Sequence, residues 1–232
     1  MSGKPEDPPG MSAAKRLLPA LLAVWAVCAQ AQDEGDWNRC VEARSGTGRV
    51  EVCNRAIKSG RFSGAPLAAA HYSRASGYLD ALGMEGEAMT DLDETVRLCS
   101  ASSERACQGV LFNALPVRAV LHQRRGEYDR ALADIDTADR VRREAGVTKP
   151  DPGMAAQRGS VYLYKKDYRK AIELFDEAVA ANPGLTLPLY GRGIAKKRLG
   201  RLAEGEADIE QAKSRRSDVD VLFTQRFGAL PE

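Results

Sequence analysis

Between Leu67 and Arg216, small and apolar residues recur among polar ones at helical spacing, and the same pattern returns four times. Each copy opens on an arginine followed by a small residue: Arg74-Ala75, Arg118-Ala119, Arg158-Gly159 and Arg192-Gly193. A turn follows, marked by Gly83, Gly126 and Gly200, with Lys166 in that place in the third copy. A second segment then starts on a small residue: Ala88, Ala131, Ala171 or Gly205. Four positions on stands a large apolar residue (Leu92, Ile135, Phe175, Ile209), and three further on Thr95, Ala138, Ala178 or Ala212. Positions i, i+4 and i+7 lie on one helical face, so each second segment presents small, large and small side chains to a partner helix. Glycine in the turn reaches positive φ without steric cost and ends the first helix. The pattern therefore predicts four helix–turn–helix hairpins, each burying one face on itself and another on its neighbour.

The copies are unevenly spaced. Arg158 to Arg192 is 34 residues, Arg118 to Arg158 is 40 and Arg74 to Arg118 is 44. Six extra residues fall around Glu144–Pro152, where Gly and Pro stop the helix. In the first copy one extra residue falls in the internal turn, and nine more fall around Ser100–Arg105. Outside the repeats, Trp37 to Lys58 reads as a helical cap, and Val219–Phe223 with Phe227 reads as an amphipathic terminal helix. A stacked array needs such caps, because its last unit otherwise exposes an apolar face.

The third copy combines Gly159, Tyr162, Tyr168, Ala171, Phe175, Ala178 and Pro183, with the fourth copy in register behind it. This set resembles the tetratricopeptide repeat, and the resemblance covers about residues 67–216. It implies an all-α, right-handed solenoid with repeats at about 67–102, 112–145, 152–185 and 186–216. An N-terminal cap at 32–66 and a capping helix at 217–232 complete it. In such repeats the first helices line a groove for a peptide or partner helix. Mapped onto this chain, the groove takes Tyr72, Ser76, Leu79 and Asp80 from the first copy and Pro116, Val120, Gln123 and Arg124 from the second. Ala156, Ser160, Leu163 and Tyr164 come from the third, and Tyr190, Ile194, Lys197 and Arg198 from the fourth. The surface is aromatic and aliphatic with a basic rim. It lacks the Lys/Asn set with which some repeats clamp a terminal carboxylate.

The amino terminus reads as an address. Lys15-Arg16 precede the uncharged run Leu17–Val27, then Ala29-Gln30-Ala31 and the acidic Asp33-Glu34, which is the secretory signal pattern. On that reading residues 1–31 are an extension plus a cleavable signal, Met11 is the expected start, and no stable membrane span remains after cleavage. The run is shorter than the roughly 20 residues a span needs. Val27 before Cys28, in place of a smaller residue, speaks against lipidation. Export to the periplasm or outside then makes two disulfides of the remaining cysteines, Cys40 with Cys53 and Cys99 with Cys107, each flanking its own structural unit. No C-x-x-C or histidine cluster supports a metal or redox site.

Thirty-four basic residues against 32 acidic ones, a formal charge of +2, are too balanced for a nucleic-acid binder. No phosphate loop or nucleophile elbow appears. Gly191-Arg192-Gly193 sits inside a repeat helix and reads as close packing. His71 and His122 read as structural, the arginine column as inter-helix pairing, and Asp91, Asp134 and Asp208 as a solvated face. The expectation is a non-enzymatic scaffold without cofactor that binds a protein or peptide. The alternative is a cell-envelope polysaccharide-binding or enzyme-accessory module that stacks sugars on tyrosines.

Overall fold

A computed structural model describes residues 35–42 and 46–230. The proposed leader and signal, residues 1–31, lie outside the described residues, and the described part is helical throughout. The helices are α1 (35–42), α2 (Gly46–Lys58), α3 (Gly64–Gly77), α4 (Glu85–Cys99), α5 (Arg105–Arg124) and α6 (Tyr128–Glu144). Then come α7 (Pro152–Tyr164), α8 (Tyr168–Ala181), α9 (Thr186–Arg198), α10 (Leu202–Arg215) and α11 (Val219–Phe227). Pairs α3/α4, α5/α6, α7/α8 and α9/α10 are hairpins, each stacked on the next. The described helices form a solenoid of stacked hairpins.

The small–large–small triplets face inward as the spacing requires. Ala88, Leu92 and Thr95 are fully buried, as are Ala131, Ile135 and Ala138, and Ala171, Phe175 and Ala178. Phe175 fills the seam between two first helices so closely that a Cβ on Gly159 would stand 2.8 Å from its ring and one on Gly191 2.6 Å. These glycines therefore serve packing inside helices, as read from the sequence. The turn glycines Gly83, Gly126 and Gly200 have φ of 61°, 75° and 85°. Lys166 takes the same backbone at φ 64°, the one non-glycine with positive φ among the described residues. The first copy's extra residue goes into a π turn, Tyr78–Leu82, which lets the chain gain a residue without losing the face it presents.

Arginines tie the stack together. Arg74 donates to Asp91 at 2.6 and 2.7 Å, and to Asn54 of α2 at 2.7 Å. Arg118 joins Asp134 at 2.6 Å to Asp93 at 3.0 Å, and Arg192 joins Asp208 to Asp176, each at 2.7 Å. Arg158 reaches Asp136 and Asp139 at 2.7 and 2.6 Å, both on α6, because Leu174 stands where the other copies carry the second-helix aspartate. Each fork thus holds a first helix to the preceding element, and in three copies to its own hairpin as well. The arginine column pairs helices, as expected, but the aspartates correct the sequence reading. Asp91, Asp134 and Asp208 are buried, because the guanidinium forks cover them. Burial pushes Asp91 and Asp208 upward, yet hydrogen bonds from Arg74 and His71, and from Arg192 and Lys196, outweigh it and hold both carboxyls below their ordinary value. His71 Nδ1 sits 2.8 Å from Asp91 and His122 Nδ1 2.5 Å from Glu127, so both histidines are partnered within the structure.

Two disulfides join the predicted pairs: Cys40–Cys53 ties α1 to α2, and Cys99–Cys107 closes the α4–α5 connection, with Cα separations of 4.7 and 5.0 Å. The insertion between α6 and α7 is exposed from Ala145 to Pro150. Between it and α5 it leaves an open cavity of about 570 Å³, lined by Phe112, Val141, Val147 and Pro150 with Arg105 and Arg142.

Candidate functional site

The first helices α5, α7 and α9 stand side by side, and their common face carries most of the mapped groove residues. Gln123 and Ser160 are almost fully buried there and joined: Ser160 Oγ lies 2.8 Å from Gln123 Oε1 and 2.7 Å from the Gln157 carbonyl. Gln157 Nε2 in turn donates to the Pro116 carbonyl at 2.6 Å, the acceptor a proline keeps although it has no donor. Gln157, which the sequence reading passed over, thus stitches α7 to α5. Its helical position one turn before Ser160 was the available signal, but glutamine reads as solvent-facing by default.

The face is occupied by the end of the chain. Helix α11 packs on α9 and reaches α5, with Phe223 5.4 Å from the Tyr190 ring and 4.9 Å from Phe227, measured between ring centroids. Val219, Phe223 and Phe227 are buried, so the terminal helix covers apolar surface as a cap should. The surface it covers is the first-helix face. Gln123 Nε2 donates to the Phe227 carbonyl at 3.0 Å, and Tyr164 Oη to the Gly228 carbonyl at 2.5 Å. The Arg124 guanidinium donates to the carbonyls of Gln225 and, at 3.2 Å, Arg226, while it also pairs with Glu85. Leu230 packs into the same cluster as Val120, Ile194 and Tyr164. Burial pushes the Tyr164 phenol up to about 12, although the neighbouring Arg124 pulls the other way, and burial raises Tyr190 as well.

Not all mapped residues join this site. Tyr72 and Leu79 pack against the Ala75–Leu92 cluster, and Leu79 also borders an open cavity of about 390 Å³ with Val120, Arg124 and Gln225. Lys197 turns to Glu206 of α10 at 3.2 Å, and Arg198 is exposed at the end of α9. The basic rim is therefore largely engaged: Arg124 and Lys197 each have a carboxylate partner. Among the described residues no group of three His, Cys, Asp or Glu side chains could hold a metal ion, and no helix is long and apolar enough to cross a membrane.

The third hairpin matches the family model described as tetratricopeptide repeat, over residues 153–184. No curated protein matches the chain. Among solved structures, MamA of AMB-1 superposes with a TM-score of 0.56 at 11% identity, over 82% of this chain and 92% of that one. BtubC (BKLC) of P. vanneervenii gives 0.60 at 15% identity, over 95% of this chain and 86% of its own. A kinesin light chain-like protein of Podosopora anserina, built of nearly identical TPR-like repeats, gives 0.57 at 14%, over 82% and 95%. At these identities the likeness is one of fold. The third hairpin carries the family signature and the other three repeat its packing, so the chain has the fold of a tetratricopeptide-repeat solenoid.

Proposed function

We propose that the protein is an exported, non-catalytic scaffold that binds a protein or peptide segment through the face of its first helices. Tetratricopeptide repeats are protein-interaction scaffolds, and one observation supports this particular face. Gln123, Arg124 and Tyr164 already hold a polypeptide segment by its main-chain carbonyls, beside an apolar seat at Tyr190. Recognition by a preformed surface needs no chemical step, and it spares the ordering cost that a flexible site would carry. The signal-like leader and the two disulfides support export to an oxidising compartment. Sugar stacking would need open tyrosine faces, whereas Tyr164 and Tyr190 are buried.

The test is capture of partners from the native envelope after mild crosslinking, with wild type compared to Tyr164→Ala/Tyr190→Ala. Circular dichroism would confirm that the variant folds. A discrete protein captured by wild type and lost in the variant is the expected result. Equal capture by both would refute binding at this face.

A further inference from the structure

Resting on the groove reading above, we infer that residues 219–230 are a displaceable occupant of the first-helix groove. The partner that competes with them is the C-terminal end of a short amphipathic helix bearing aromatic residues at i and i+4.

The contacts define what the groove reads. Every hydrogen bond that Gln123, Arg124 and Tyr164 make to the tail is donated by the groove side chain and accepted by a main-chain carbonyl, at Gln225, Arg226, Phe227 and Gly228. Three of these carbonyls belong to the last turn of α11, whose final C=O groups have no partner inside the helix. The groove thus acts as an external cap for a helix C-terminus. The Arg124 cation lies where the negative end of the helix dipole favours it. Any peptide can supply such carbonyls. Selectivity must come from the side chains that enter the seat, and these are Phe223 and Phe227, one helical turn apart, with Val219 a turn before them.

The tail is also attached differently from the other helices. Each first helix is fastened by an arginine fork to buried or half-buried aspartates on neighbouring helices. Between α11 and its predecessor the ion pair is Lys213–Asp220 at 3.2 Å, with both side chains more than 40% exposed, a kind of pair that contributes little. Val221, Thr224, Gln225 and Arg226 face outward, so one side of α11 is open to solvent. After Phe227 the chain leaves the helix through Gly228 at φ 97°, where a Cβ would stand 3.3 Å from Arg124 Cγ. A β-branched residue there is strained in the docked state and unstrained once released.

This makes a direct test in the full-length protein. The probe is a fluorescein-labelled peptide with the sequence of residues 217–232, and its binding is read by anisotropy. Because an occupied groove lowers apparent affinity by its open fraction, Gly228→Val should bind the probe about tenfold more tightly than wild type. A probe carrying Phe223→Ala and Phe227→Ala should bind neither. Hydrogen exchange on wild type supplies a readout independent of the variant's folding. At saturating probe, amides of the native residues 222–228 should lose protection while those of α5, α7 and α9 keep theirs. Equal probe affinity for wild type and Gly228→Val, or tail exchange unchanged at saturation, overturns the inference. The two readings separate on the envelope partner. Capture that is lost in Tyr164→Ala/Tyr190→Ala but equal for wild type and Gly228→Val keeps the groove reading and sinks displacement. Capture retained by the tyrosine variant sinks both.

Discussion

Gly191→Ala tests the packing logic of the stack most sharply, because two opposing effects can be sized from the structure. In an open helix interior this change stabilises by about 1 kcal/mol through backbone entropy. At Gly191 the new methyl would stand 2.6 Å from Phe175 Cζ, 3.0 Å from Cε2 and 3.0 Å from Phe223 Cε2. Ordinary contact needs roughly 1 Å more at Cζ. The Phe175 ring cannot retreat, since on its other side the Gly159 backbone is close enough that a Cβ there would lie 2.8 Å from Cδ1. Overpacking a site with no slack costs about 3 kcal/mol, the upper end of its usual range, which leaves a net loss of about 2 kcal/mol. Urea unfolding followed by far-UV circular dichroism measures it, with an unchanged m-value as the control on two-state behaviour. Gly109→Ala in α5, where the added Cβ meets nothing within 4 Å, should instead be neutral or stabilising. Shortening the ring with Phe175→Leu should relieve the clash, so the double variant should be less destabilised than the sum of the singles by about 1 kcal/mol. Strict additivity, or a Gly191→Ala protein more stable than wild type, would refute the argument that Phe175 is gripped between two backbones.

Four further outcomes are expected. Lys166→Gly should raise stability by about 0.5–1 kcal/mol in the same urea assay, since a left-handed lysine costs about 1–2 kcal/mol and glycine returns part of that in entropy. Asp208→Ala should cost about 3 kcal/mol by leaving the buried Lys196 and two nitrogens of Arg192, Nε and Nη2, without an acceptor. Asp208 is held below its ordinary 3.8, so its contribution is complete above about pH 4 and is lost as pH falls through the lower folded value. Asp208→Asn should therefore show a shallower acid limb in a stability–pH series. Replacing Cys99 and Cys107 together by Ala should lower stability by about 2.5 kcal/mol, from the closure entropy of a short loop, and non-reducing peptide mapping would confirm the pair. Tyr164→Phe should weaken tail docking by about 1 kcal/mol, read as faster hydrogen exchange at Gly228, and should remove from the ultraviolet titration the phenol that ionises near 12. Because the fold raises that phenol above its unfolded value near 10, its contribution is intact below pH 10 and is lost as pH rises toward 12.

The local rules carried the sequence reading a long way. Hairpins, turns and the inward triplets follow from a period of 3.6 and from glycine's freedom at positive φ, both properties of residues close in the chain. The disulfide pairing was legible for the same reason: Cys99 and Cys107 flank one connection, eight residues apart. Even the extra residue of the first copy was countable, though not its form as a π turn. What the sequence left open depends on partners far along the chain. Asp91, Asp134 and Asp208 are charged residues set beside the apolar triplets of the second helices, and only the arrival of an arginine from the first helix, sixteen or seventeen residues earlier, turns them into buried pairs. The place of α11 is the larger case. Its amphipathic spacing shows that Phe223 and Phe227 must be buried, but hydrophobic burial has no direction, and a helix can meet that demand on more than one neighbour. That choice rests on the carbonyls at its C-terminal end finding Gln123, Arg124 and Tyr164, contacts spanning up to 104 residues that no local pattern encodes.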